Sequence, residues 1–266
     1  MAPPSPSRGP ESPSKGPLAG RVALVTGGGG GVGRAAALAL ARAGADVVVL
    51  GRSAAPLAET ARLVRALERR AAVAKADVAD RRQVGEAVAV AERETGPVTI
   101  LVNAAGIAEA APLLPPDDAL FDRTMATNVR GPWVVSTACL PAMRLAKYGR
   151  IVNVASTAAL EGARYTEAYV ASKHALLGLT RAMALDVAKD GVTVNAVCPG
   201  FLDTAMTGRT LARIVAATGR TREQAVADVL ATARQARLIA PDEVADAIVR
   251  VVLDAATNGA AIELRG

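Results

Sequence analysis

Histidine and cysteine are nearly missing from this chain of 266 residues, which has one of the first and two of the second. The single imidazole, His174, cannot assemble a zinc site or a Ser-His-Asp triad, so neither chemistry is expected. Cys139 and Cys198 show no metal-ligand spacing and imply no disulfide framework in a chain of this length. Aromatic residues are only 2% of the total, so any pocket has few rings to draw on: Trp133, Phe121, Phe201, Tyr148, Tyr165 and Tyr169. No apolar run approaches the roughly 18 residues that argue for a membrane-spanning helix, and no apolar core follows the N-terminal charges as in a secretory signal. No membrane partner is expected, and a cytoplasmic location follows by default. The net charge is +6. Without a lysine-rich block or a basic stripe interleaved with aromatics, that excess does not make nucleic acid an expected partner.

Small aliphatic residues are abundant. The chain is 51% hydrophobic, enough to bury a sizeable core made of alanine and valine contacts rather than rings. Residues 1–17, MAPPSPSRGPESPSKGP, have no apolar periodicity and are expected to stay disordered. Residues 18–266 are then expected to form one domain. Strands are predicted over Arg21–Thr26, Ala45–Leu50, Ala71–Lys75, Val98–Val102, Ile151–Val154, Val192–Val197 and Ala261–Leu264. Helical stretches separate them, among them Val32–Ala43, one reaching about Arg69, and Arg81–Glu94. Apolar strands alternating with helices imply a parallel sheet covered on both faces, an α/β doubly wound architecture of three layers.

The first strand runs into Thr26-Gly27-Gly28-Gly29-Gly30-Gly31-Val32-Gly33 and then a helix. A pyrophosphate must approach the backbone closer than a Cβ permits, and the helix N-terminus offers free N–H groups to an anion. Gly28, Gly30 and Gly33 match the general dinucleotide pattern, and Thr26, Gly27, Gly31 and Gly33 match a wider one. A cofactor using the ribose 2′-hydroxyl of NAD would want a carboxylate at the end of the second strand. Gly51-Arg52-Ser53 stands there instead, and Asp46 lies at the strand's other end. The guanidinium of Arg52 suits a 2′-phosphate, so NADP(H) is favoured and NAD(H) is the alternative, with Arg52 then stacking on adenine or facing solvent.

Tyr169 and Lys173 are four residues apart at the start of a helical stretch, so they share one face. A neighbouring ammonium is expected to lower the phenol pKa from its ordinary value of about 10 and ready it for acid/base work. Ser156 ends the preceding strand, where the carboxyl ends of parallel strands form a ligand crevice and a hydroxyl can hydrogen-bond a carbonyl. Thr157 could replace it; Tyr165 is a poorer substitute for Tyr169, having no lysine four residues on.

Taken together, the glycine loop and the Ser156, Tyr169 and Lys173 spacing resemble a short-chain dehydrogenase/reductase, over essentially everything after the tail. The resemblance implies a Rossmann-type fold in which Ser156, Tyr169 and Lys173 are catalytic. It adds Asn128, in the long helix before the serine strand, as the holder of a water that relays protons to the lysine. For the cofactor it implies a phosphate loop of Thr26, Gly27, Gly31, Val32 and Gly33, and Asp77-Val78 against adenine. It also implies cofactor contacts from Ser53, Asn103-Ala104-Ala105-Gly106 and Pro199-Gly200, with Thr204 on the nicotinamide carboxamide. Alanine replaces the more usual second asparagine at Ala104, and no basic residue stands inside the glycine loop. The implied reaction is direct hydride transfer between the nicotinamide and a ketone or secondary alcohol. Tyr148 to Thr157 and Ala171 to His174 resemble ketoreductases acting on 3-oxoacyl or polyketide substrates. The alternatives are an NAD-dependent secondary-alcohol or 3-hydroxyacyl dehydrogenase and a catalytically silent dinucleotide-binding regulator. Substrate choice is expected between Leu202 and Ile239, where Arg209, Arg213, Arg220 and Arg222 form a solvated helix face or, less favoured, meet the phosphates of an acyl thioester. A homo-tetramer or dimer through the helices around 117–146 and 166–188 is also implied.

Overall fold

Short β-branched and alanine-rich runs cannot bury themselves alone, and each is closed by glycine or a polar turn before a helix begins. In the computed structural model, which describes residues 16–266, they line up as seven strands: β1 (Val22–Thr26), β2 (Asp46–Gly51), β3 (Ala71–Lys75), β4 (Ile100–Asn103), β5 (Gly149–Val154), β6 (Val192–Pro199) and β7 (Ala261–Leu264). All pairings are parallel, in the order β3-β2-β1-β4-β5-β6-β7. The order reverses between β1 and β4, which opens a crevice at their carboxyl ends.

Helices α1 (Gly31–Arg42), α2 (Ala54–Arg65) and α9 (Pro241–Leu253) cover one face. Alanines 35, 36, 37, 39 and 41 of α1 let it approach α9 closely, around Val244, Ala245 and Ile248. The other face is covered by α3 (Arg81–Thr95), α5 (Gly131–Leu145) and α6 (Glu167–Val187). A short helix, α4 (Asp118–Met125), leads into α5. Between β6 and α9 the chain forms α7 (Ala205–Thr218) and α8 (Arg222–Thr232), which pack on each other through Leu211, Ala225 and Val229, a cluster separate from the three that include sheet residues.

Some expected boundaries move. Gly16 and Pro17 form part of a turn whose Leu18 N–H donates to the Ala43 carbonyl at 2.9 Å, and the rest of the expected tail lies outside the described residues. Helix α2 stops at Arg65 because Glu68 takes a positive φ of 58°. Strand β4 begins at Ile100, two residues late, because the Val98 N–H donates to the Glu92 carboxylate instead of a neighbouring strand. Among the described residues no helix is long and apolar enough to cross a membrane.

Candidate active site

The glycine loop closes onto itself before it meets anything else. Gly27 and Gly31 hold positive φ angles of 66° and 49°, which favour glycine. A Cβ on Gly33 would lie 2.2 Å from the Gly27 carbonyl oxygen, so the third glycine lets α1 dock under the loop. Above Gly30 a Cβ would meet nothing within 4 Å, and above Gly31 only Thr204 Cγ2 at 3.8 Å. No side chain caps α1, and its first turn carries no acid. Open space over uncapped N–H groups is a fitting cradle for a pyrophosphate, and Thr204 faces that cradle from β6's side.

Several predicted contacts are already spoken for. The Thr26 hydroxyl accepts from the Ala104 and Ala105 N–H groups at 3.1 and 3.0 Å, tying β1 to the loop after β4. Asn103 does not turn its amide to the crevice; it donates to Ser136 at 3.2 Å and Asn153 at 2.9 Å inside the sheet–helix layer. The Asp77 carboxylate accepts from Ala79 N–H at 2.9 Å, and Val78 is buried beneath Gly131. Arg52 and Ser53 are exposed at the end of β2, and Arg52 has no ion-pair partner among the described residues. Arg34, which sequence reasoning passed over, donates to the Gly29 carbonyl at 2.7 Å and the Thr60 hydroxyl at 3.0 Å, pinning the loop to α2. Its position directly after Gly33 was the only available signal.

Ser156, Tyr169 and Lys173 do converge. Ser156 caps the short turn after β5, accepting from Ala158 N–H at 3.1 Å. Lys173, 5% exposed, puts its Nζ 5.6 Å from the centre of the Tyr169 ring and donates to the Val154 carbonyl at 2.9 Å. The expected lowering of the Tyr169 pKa is not what the free protein shows. Burial pushes it above the ordinary phenol value, and hydrogen bonding from Ser156 opposes that rise. Lys173 is itself pulled down to about 8 by the same desolvation, so it is a weaker source of positive charge than spacing alone suggests. The buried Cys198 thiol, at the end of β6, is a further neighbour that raises the phenol. Sequence spacing could not reveal it, since only strand pairing brings β6 beside Ser156.

Asn128 is not in a regular helix. It sits in a π-helical turn, Ala126–Arg130, between α4 and α5, a local widening of the kind that aims one side chain inward. Its amide accepts from Ile107 N–H and donates to the Ile107 carbonyl, both at 2.9 Å, and donates to Ser172 at 3.0 Å. A Cβ on Gly106 would lie 3.3 Å from Asn128 Oδ1 and 3.8 Å from Lys173 Nζ, so these three residues meet at one point. Gly200 shows a similar closeness: the Gln235 carboxamide fills the place of its Cβ and clamps both backbone groups of Phe201, at 2.7 and 3.2 Å.

Among the arginines between Leu202 and Ile239, Arg213 reaches across to Glu109 at 3.6 Å and Arg220 pairs with Asp228. Arg209 and Arg222 are exposed.

The pattern of the short chain dehydrogenase family matches residues 21–215. The 2-(R)-hydroxypropyl-CoM dehydrogenase of Xanthobacter autotrophicus is 39% identical over 252 residues, covering 92% of this chain and 97% of that protein. Two solved structures superpose closely. A variant of actinorhodin polyketide ketoreductase with NADPH has a TM-score of 0.88 at 32% identity, covering 92% of this chain and 96% of that one. NAD+-bound xylitol dehydrogenase has a TM-score of 0.88 at 28% identity, covering 94% and 99%.

Proposed function

The chain belongs to the short-chain dehydrogenase family, and from that premise we propose that it reduces a ketone of 3-oxoacyl or polyketide-like type to a secondary alcohol with NADP(H). One observation carries this reading: a buried amine, a phenol and a serine hydroxyl meet at the carboxyl end of β5, beside the glycine cradle. When bound, the nicotinamide supplies or takes up the hydride.

The protein's own groups do the rest. Ser156 orients the carbonyl oxygen by hydrogen bonding. Tyr169, whose pKa burial holds high, is fully protonated near neutrality and gives its proton to that oxygen during reduction. Lys173 then faces the resulting phenolate and stabilises it as an ammonium. Asn128 holds the Ile107 segment against the lysine. Exposed apolar side chains on the outer helices, Trp133 and Leu145 on α5 and Leu185 on α6, support assembly as a dimer or tetramer.

Reduction needs the protonated phenol and oxidation needs the phenolate, which fixes the sign of the pH dependence. Ketone reduction should stay level through neutral pH, weaken as Lys173, with its pKa at about 8, loses its proton, and fall further as the phenol titrates, above its ordinary value of about 10. Alcohol oxidation should climb with alkalinity over the same range. Initial rates in both directions from pH 6 to pH 11 check this; oxidation that slows on raising the pH would contradict the role given to Tyr169.

The direct test is a panel of simple ketones and 3-oxoacyl thioesters offered with NADPH and with NADH, following loss of nicotinamide absorbance. Turnover is expected with NADPH in preference. Arg52→Ala should weaken NADPH binding about tenfold, the loss of one charge-assisted contact, and leave NADH unchanged. A second reading, an NAD-dependent alcohol dehydrogenase, is favoured by one feature: Arg34 is consumed by Gly29 and Thr60, leaving Arg52 as the sole guanidinium proposed for a 2′-phosphate. Equal binding of the two cofactors would select it. Arg213 and Arg220 pair with carboxylates, which leaves Arg209 and Arg222 of that segment as the exposed cations for a phosphorylated carrier.

A further inference from the structure

A phenol on α6 and a hydroxyl at the end of β5 can act on one carbonyl only if the helix keeps its axial register with the strand. Most of the α6 face that meets the sheet is aliphatic, including Leu176, Leu177 and Ala184. Such contacts hold the layers together but resist sliding weakly, because burial of apolar surface is non-directional. Apart from the bond of Lys173 to the Val154 carbonyl, one side-chain pair ties this stripe to β5. Asn153 Nδ2 donates to the Thr180 hydroxyl at 2.8 Å, and that hydroxyl donates to the Leu176 carbonyl at 2.8 Å. Asn153 Oδ1 in turn accepts from Asn103 at 2.9 Å, so β4, β5 and α6 are joined in a line.

All three side chains are buried, Thr180 completely. Burying amides and hydroxyls is costly unless they are paired, and aliphatic residues of similar size would fill the same space. What the polar pair adds is direction. Thr180 lies seven residues beyond Lys173 and eleven beyond Tyr169, close to two and three whole turns of helix. All three therefore share one face. At the strand end of the contact, Asn153 lies three residues before Ser156.

We propose that the Asn153–Thr180 hydrogen bond is a positioning strut that fixes where α6 presents Tyr169 and Lys173 relative to Ser156. The inference rests on the acid/base reading of Tyr169 given above. Thr180 touches no reacting atom; it acts through the helix that carries the phenol.

Thr180→Val keeps the shape and removes the hydroxyl. With the ketone that the wild-type protein reduces fastest, kcat is expected to fall about tenfold, while KM and the NADPH Kd stay within about twofold, because geometry is disturbed and not binding. Thr180→Ser should restore kcat. Thr180→Val also leaves the Asn153 amide unpaired and lowers the melting temperature. The double variant Asn153→Leu/Thr180→Val removes the amide that faces Thr180 but leaves Asn103 held by Ser136 alone, so its melting temperature should recover in part while kcat does not. A kcat within about twofold of wild type in Thr180→Val, or one that recovers with the melting temperature in the double variant, overturns the strut. Tyr169→Phe separates the two ideas. An active Tyr169→Phe sinks the acid/base reading, whereas an inactive one beside a fully active Thr180→Val sinks only the strut.

Discussion

Tyr169→Phe is expected to lower ketone reduction about a thousandfold while NADPH binds almost as before. The phenol is the one proton donor placed with both an amine and a hydroxyl beside it, and removing a positioned acid typically costs two to four orders of magnitude, so about three is expected. Phenylalanine keeps the ring, so the packing of α6 and the lysine-over-ring contact at 5.6 Å survive. Single-turnover rates and fluorescence titration with NADPH separate the two quantities. A variant that keeps a tenth of the wild-type rate would show that another group supplies the proton.

Gly33→Ala is the second large effect. Its methyl group would sit 2.2 Å from the Gly27 oxygen and 2.6 Å from the Gly27 carbonyl carbon, both backbone atoms that cannot swing aside. The loop must move bodily by about an ångström, a misplacement that typically costs a hundredfold where geometry matters. NADPH affinity should fall by about that factor, with a lower melting temperature. Gly30→Ala is the control, since its Cβ meets nothing within 4 Å and its φ of −175° suits any residue. That variant should melt like wild type and still bind NADPH less well, because its methyl group would fill the open space proposed for the pyrophosphate. Unchanged affinity in Gly30→Ala would move the cradle elsewhere.

The strands and the glycine loop were legible because their information is local. Apolar runs, turn glycines and a four-residue Tyr–Lys spacing each declare themselves within one element. What the sequence concealed depends on neighbours far along the chain. The Thr26 hydroxyl is engaged by residues 78 and 79 positions away, and the Asn103 amide by residues 33 and 50 positions away, partners that no local pattern shows. The direction of the Tyr169 shift was missed for a related reason. An ammonium one turn along a helix can be read from spacing, but desolvation is a property of the enclosed volume, and here it wins. The π-helical turn at Asn128 likewise arises where α4 and α5 meet.

Because α7 and α8 gather around Leu211, Ala225 and Val229, a cluster distinct from those packed on the sheet, the segment between β6 and α9 is a module in its own right. Substitutions confined to that cluster are expected to act on its own local opening equilibrium more than on the global unfolding of the sheet. Where substrate choice lies between Leu202 and Ile239, as expected from the sequence, a new ketone is accommodated by rewriting some thirty residues, on the order of a single helical hairpin.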